Sequence, residues 1–242
     1  GIVTCGRNAR KGQWVADSIT EDFGVPVQFV KADLGSVDDA KRVIAEADKA
    51  FGTVDVLVNA AGLTDRGTIL DTSPELFDSM FAINVRGPFF LIQEACKVMI
   101  RDGVEGSIVN IGSISATTGQ PFLSAYCASK GALASLTRNV AFSVLRNRIR
   151  VNQLNIGWMS SDGEDAVQKK YNGADENWLE EASKHQPFGR LVDPKEVARA
   201  VAFLASVDSG LMTGTVIDFD QTVLGGTSGA MPTPDQPMTL ER

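Results

Sequence analysis

Apolar positions along the chain follow two alternating rhythms. Short, mostly continuous apolar runs at 2–5, 27–30, 54–58, 107–111, 149–154 and 215–219 have the length and β-branched content of buried strands. Between them lie longer segments with apolar residues three and four apart, the spacing of amphipathic helices. Residues 12–23 carry such a pattern, with Gly24 as a stop. Ser36 is placed to cap the next helix, with Asp39 near the positive end of its dipole. Its apolar face is Ala40, Val43, Ile44, Ala47 and Phe51, and Gly52 ends it. Ser73-Pro74 opens one long helix that carries Leu76, Phe77, Met80 and Phe81 and continues past Gly87-Pro88 to Ile92. A further helix covers 124–141. Asp193-Pro194-Lys195-Glu196 has the layout of an N-cap, a first-turn proline and a reciprocal acid, ahead of Val197, Ala200, Val201 and Leu204.

Strands alternating with helices predict a doubly wound α/β fold: one domain, with a parallel sheet covered on both faces. The chain shows no internal repeat and no linker that divides it. After Gly225 it is rich in Gly, Pro and Thr and reads as an irregular arm.

Composition removes several function classes. A net charge of −7 argues against nucleic acid as the main partner. No apolar run approaches the ~20 residues that span a bilayer, and the first residues lack a signal-peptide layout. Cys5, Cys96 and Cys127 are odd in number and far apart, which suits small buried hydrophobes in a reducing cytoplasm. With His185 the single histidine, a His-rich metal site is excluded and no metal is expected. A Ser-His-Asp triad would have to use that residue, and no G-x-S-x-G elbow is present.

In an open parallel sheet, ligands bind beyond the carboxyl ends of the strands, and the chemically informative residues fall there. Asn59-Ala60-Ala61-Gly62 follows the third strand, where small residues let a backbone approach a ligand. Ser113 lies just past the fourth strand and Asn155-Ile156-Gly157 past the fifth. Asn84 sits mid-helix, where Asn is a poor helix former: it either opens the ladder to hold a water or faces solvent. Tyr126 and Lys130 are four apart on a helix, so their side chains are neighbours. An ammonium beside a phenol favours the phenolate and predicts a Tyr pKa below its usual value of about 10. That would give a proton donor and acceptor usable near neutral pH.

Together, Asn59-Ala60-Ala61-Gly62, Asn84-Val85-Arg86-Gly87, Ser113, Tyr126-x-x-x-Lys130 and Asn155-Ile156-Gly157, with a Ser-to-Tyr gap of thirteen residues, resemble the short-chain dehydrogenase/reductase family over nearly the whole chain. The resemblance implies a Rossmann-like fold and hydride transfer between a nicotinamide and a carbon bearing oxygen. It implies that Tyr126 exchanges the proton, that Lys130 lowers its pKa and binds the nicotinamide ribose, that Ser113 orients the substrate oxygen and that Asn84 holds a relay water. It places Arg7, Asp33, Leu34, Asn59, Ala60, Gly62, Tyr126, Lys130, Ile156, Gly157, Met159 and Ser161 along the dinucleotide. Substrate contacts would come from Ser113, Ser115, Tyr126, Asn155 and Trp158. It also implies a homotetramer, with the helices of Asn84 and Lys130 in a four-helix interface.

Two departures stand out. Ile156-Gly157 replaces the usual Pro-Gly, with Gly157 expected to keep backbone access. The family's first strand and Gly-rich phosphate loop have no counterpart, so the first strand here corresponds to the family's second. A βα unit of about 30 residues is expected ahead of it, because without a central strand two neighbours keep unpaired buried backbone groups; the alternative is a true fragment that does not bind dinucleotide in the usual way. At the end of the first strand, Thr4-Cys5-Gly6-Arg7-Asn8 holds no carboxylate for a ribose hydroxyl. Arg7 can pair with a 2′-phosphate, which favours NADP over NAD. Residues 158–187 are expected to form a flap over the pocket. Trp158, Tyr171, Trp178 and His185 amid acids and amides suit a sugar or polyol. The alternatives are a 3-oxoacyl-[acyl-carrier-protein] reductase and a non-catalytic dinucleotide-binding regulator.

Overall fold

Six parallel strands and eight helices alternate along the chain in a computed structural model, which describes residues 1–224 and Met238. Apart from Met238, the arm expected after Gly225 lies outside the described residues. The strands are β1 (Ile2–Gly6), β2 (Val27–Lys31), β3 (Val56–Asn59), β4 (Ser107–Ser113), β5 (Arg150–Ile156) and β6 (Val216–Phe219). The helices are α1 (Ala9–Phe23), α2 (Val37–Phe51), α3 (Pro74–Phe81), α4 (Gly87–Asp102), α5 (Ser124–Ser143), α6 (Asp162–Asn172), α7 (Trp178–Lys184) and α8 (Pro194–Ala205). Local chemistry sets their ends. Ser36 caps α2, Gly52 closes it at φ 79°, and Asp193 and Glu196 cap α8 reciprocally. No helix among the described residues is long and apolar enough to cross a membrane.

Alternation along the strands sorts the core into two layers. Ile108 and Val151 pack with Leu91, Ile92 and Met99 in one cluster, while Val109 and Leu154 pack with Val197 and Leu204 in the other. On the first face, apolar residues give way to amides toward the carboxyl ends: Leu57 to Asn59, Ile108 to Asn110, Val151 to Gln153 and Asn155. These amides meet across the strands. Asn59 donates to Asn110 at 2.8 Å and Asn110 to the Thr137 hydroxyl of α5 at 2.9 Å, which lies 3.1 Å from Gln153 Oε1. Gln153 donates to Asn155 at 2.7 Å, and Asn155 to Asp218 at 3.0 Å. The row is buried from Asn59 to Asn155 and bonded at every step, so the α5 side of the sheet tolerates polar groups without an unmet donor.

The sheet is divided in two. β1 pairs only with β2, and β3 to β6 pair in sequence order, with no ladder between β1 and β3. A cavity of about 770 Å³ lies in the gap, walled by Val3, Cys5, Val43, Phe51, Val56 and Val58. Val56 and Val58 are strand residues, yet they are 44% and 41% exposed. Thr4, Thr53 and Asn59 each bring a buried side-chain oxygen without a partner to this same cavity.

The long helix expected from Ser73 is interrupted. Residues Ala82–Arg86 form a π-turn between α3 and α4, and the Gly87 N–H bonds back five residues to Ala82. Pro88 explains the break: it has no N–H to give the Asn84 carbonyl four residues earlier, and its ring crowds that carbonyl. Gly87 is required for a second reason, because a Cβ there would collide with the Leu34 carbonyl.

Candidate active site

β4 delivers Ser113 to the carboxyl edge of the sheet, buried, with its hydroxyl accepting from the Ser115 N–H at 3.1 Å. α5 begins eleven residues later. Its first turn is tied down by Gly67, whose N–H donates to the Phe122 carbonyl at 3.0 Å and whose carbonyl accepts from the Ser124 N–H at 3.1 Å. This answers one of the donors that a helix start leaves open. Tyr126 and Lys130 follow on one face, with Nζ 5.7 Å from the centre of the phenol ring.

The electrostatics differ from the sequence expectation. Loss of solvent is the largest influence on the Tyr126 phenol and raises its pKa, while hydrogen bonds involving Ser113 and Thr64 pull it down by less. Lys130 is itself desolvated, and burial lowers its pKa to about 8. The influences on the phenol are burial, Ser113, Thr64, Cys127 and Glu164, and the lowering expected from the Lys130 ammonium is not among them. Lys130 Nζ donates to the Ile111 carbonyl at 2.9 Å, its one side-chain hydrogen bond among the described residues. An ammonium has three donors, so two remain on the side facing Gly62, where a Cβ would lie 3.6 Å from Nζ.

Asn84 is fully buried in the π-turn. Its Nδ2 donates to the Leu63 carbonyl at 2.9 Å and to the Ser129 hydroxyl at 3.0 Å, and its Oδ1 accepts from the Leu63 N–H at 2.8 Å. Both amide hydrogens are therefore given to protein rather than to a water. Ser129 in turn donates to the Tyr126 carbonyl at 2.8 Å. Asn84 thus braces the loop after β3 against the helix of the tyrosine.

Other expected residues are spread around this centre. Ala60 and Gly62 are exposed beyond β3, and Asn59 is buried at its end. Arg7 is exposed at the end of β1, one residue before the α1 cap Asn8. Asp33 is exposed after β2, and Leu34 packs against the core. Ile156 is buried in the second cluster. Met159 is pinned in a short bridge to Val192. Ser161 caps α6 through its oxygen, which leaves its hydroxyl proton free. Ser115 donates to Gln120 at 2.6 Å.

Packing closes one expected contact and puts a protein side chain beside another. The Asn155 side chain is consumed inside the sheet by Gln153 and Asp218 and is not presented to the cleft. The space beside Gly157 is filled by the Asp220 carboxylate, so the glycine makes room for a protein side chain.

Residues 158–187 hold α6 and α7. Trp158 and Trp178 lie 6.3 Å apart, and their indole N–H groups donate to Glu164 and Asp165 at 2.8 Å each. These aromatics fasten the flap internally. Sequence reasoning missed Thr64 beside the phenol, and with it Asp65 and Arg66. The available signal was position alone, directly after Asn59-Ala60-Ala61-Gly62.

A nicotinamide nucleotide fits part of this site: a buried amine with two unspent donors faces exposed small-residue backbone. The matching family model, described as enoyl-(acyl carrier protein) reductase, covers residues 1–223. The chain is 35% identical to a tetrahydroxynaphthalene reductase of Pyricularia oryzae, over 90% of this chain and 78% of that one. It is 31% identical to a galactitol 2-dehydrogenase of Agrobacterium fabrum, over 82% and 79%. Among solved structures it resembles an NAD+-bound xylitol dehydrogenase at 26% identity and a TM-score of 0.81, over 91% and 88%. The chain belongs to the short-chain dehydrogenase/reductase family and is an NAD(P)-dependent oxidoreductase.

Proposed function

We propose that the chain interconverts a secondary alcohol and a ketone on a sugar or polyol, with NADP preferred to NAD. The observation that carries the reading is the Tyr126 phenol at the sheet edge, placed where Ser113 lowers its pKa and beside a buried amine with donors to spare. Tyr126 takes the proton from the alcohol oxygen or returns it to the ketone oxygen, and Ser113 holds that oxygen by its hydroxyl. Lys130 binds ribose hydroxyls, and Asn84 keeps the floor of the site in place. The nicotinamide supplies or accepts the hydride. Arg7, exposed with no carboxylate beside it, supports the 2′-phosphate.

A second reading, a polyhydroxylated aromatic ketone, draws on Phe122 and Tyr171 around Arg66 near the cleft and on the 35% identical relative. A 3-oxoacyl thioester is the third candidate, in line with the description of the family model. Nicotinamide absorbance should decide, with galactitol, sorbitol, xylitol, a hydroxylated tetralone and acetoacetyl thioester, each with NADP and NAD. Polyols should turn over, and Tyr126→Phe should lose about three orders of magnitude in kcat. Inert polyols beside an active thioester would overturn the sugar reading, and equal rates with both nucleotides would remove the role of Arg7. If nothing turns over, the chain is better read as a dinucleotide-binding regulator.

The dinucleotide seat is completed, on this reading, by one more parallel strand between β1 and β3, carrying the phosphate-binding turn. The cavity there, its apolar walls and the three unpartnered oxygens support it. Exposed Phe89 and Ile100 on α4 and Phe142 on α5 support a homotetramer, which sedimentation as a monomer would contradict. Three free cysteines support the cytoplasm, and location of a tagged chain would test it.

A further inference from the structure

Between β3 and α3, three consecutive residues reach in different directions. Thr64 lies close enough to the Tyr126 phenol to lower its pKa. Asp65 accepts from the Tyr171 hydroxyl and from Lys170 Nζ, 3.1 Å from each carboxylate oxygen. Arg66 lies between two rings, its guanidinium carbon 4.9 Å from the centre of Phe122 and 5.0 Å from that of Tyr171. Its Nη1 donates to Asn172 Oδ1 at 3.0 Å. Lys170, Tyr171 and Asn172 are the last turn of α6, more than a hundred residues further along the chain. Phe122 sits on the run into α5 that Gly67 pairs with.

This cluster joins the far end of the flap to the support of the catalytic tyrosine on both of its sides. An exposed Lys–Asp pair alone would hold little. A planar cation between two aromatic faces, with an amide fixing its edge, is a directional clamp that a lysine cannot reproduce. The Asp65 carboxyl is raised by its partial burial, yet the bonds from Tyr171 and Lys170 carry it below the ordinary carboxylate value. It is therefore charged wherever the enzyme works.

We propose that Asp65 and Arg66 are positioning residues that latch the C-terminal turn of α6 over the cleft, so that they set substrate affinity without entering the chemistry. This rests on the reading that substrate binds beside Tyr126. Arg66→Ala and Asp65→Ala should raise KM for galactitol about tenfold with kcat within about twofold of wild type, the signature of lost uniform binding. Arg66→Lys keeps the charge and loses the plane, so it should behave like the alanine variant. Tyr171→Phe keeps the ring beneath Arg66 and should cost only about threefold in KM.

A second readout needs no turnover. Trypsin cuts after Lys169 or Lys170 only when the end of α6 opens, so the alanine variants should be cleaved there about tenfold faster. If the wild type turns over no polyol while cleavage still accelerates, the latch stands and the substrate reading fails. If the wild type is active and neither KM nor cleavage moves, the latch fails alone. A parallel fall in kcat and thermal midpoint, with KM unchanged, would also overturn it.

Discussion

The two sides of β3 make opposite use of polar groups. Toward β4, every amide from Asn59 to Asn155 has found a partner, and the row ends on the Asp218 carboxylate. Toward β1, three oxygens are buried with none, and two valines of a strand stand exposed. Both sides bring side chains of the same kinds, Thr, Asn and Val, to the sheet. What differs is whether a neighbouring strand is in register to receive them. A buried polar row stabilises a core only when it is closed, and left open it costs the full desolvation of each unmet atom.

Closing the open side should have the largest effect. A βα unit with a Gly-rich turn, joined ahead of Gly1, should raise the thermal midpoint by more than about 10 °C. NADP affinity by calorimetry should rise about a hundredfold with it, since a helix N-terminus then faces the phosphates. An unchanged midpoint would mean that the gap takes no strand, and the contrast would lose its meaning.

Next in size is Lys130, a charge buried on the closed side. Its pKa in the fold is about 8, against 10.5 as the ordinary value. Between these the unfolded chain binds the extra proton, so its contribution to stability rises with pH from about 8 to about 10.5. Below pH 8 the buried charge costs a constant amount. Lys130→Met should therefore raise urea stability at pH 7 by about 3 kcal/mol, with the gain shrinking by pH 9.5, while activity is lost. A variant less stable at pH 7 than wild type would show that the amine is better compensated than its single hydrogen bond suggests.

The smallest effects separate the two sides directly. Gln153→Leu leaves the buried Asn155 oxygen without its partner, and should cost about 1–3 kcal/mol by urea denaturation. Thr4→Val removes an oxygen that already lacks one, and should be neutral or stabilising by up to about 1 kcal/mol. Equal losses at both sites would sink the idea that only the closed row is satisfied.

Much of the candidate site could be placed in advance because its parts lie on single elements. Tyr126 and Lys130 are one helical turn apart, and Ser113 follows an apolar run that ends in glycine. The interruption at Asn84 could be read only in part: a poor helix former was visible, but the π-turn depends on Pro88 and on the approach of Leu34 to Gly87. Asn155 misled because its neighbour, Asp218, lies on a strand more than sixty residues away, and the Asp220 side chain beside Gly157 is equally distant in sequence. The Tyr126 phenol misled because a spacing of four fixes a distance and not a dielectric.

The sequence by itself determined the order of strands and helices, several of their caps and the neighbourhood of a phenol and an amine on one helix face. Each depends on periodicity, capping or side-chain type within about twenty residues. Tertiary structure alone decided which amides close into a row and which oxygens stay open. It also decided how far burial moves Lys130, and that Asp65 and Arg66 reach the end of α6. Those outcomes depend on distances between residues far apart in the chain and on the water excluded when they meet, and no local pattern encodes either.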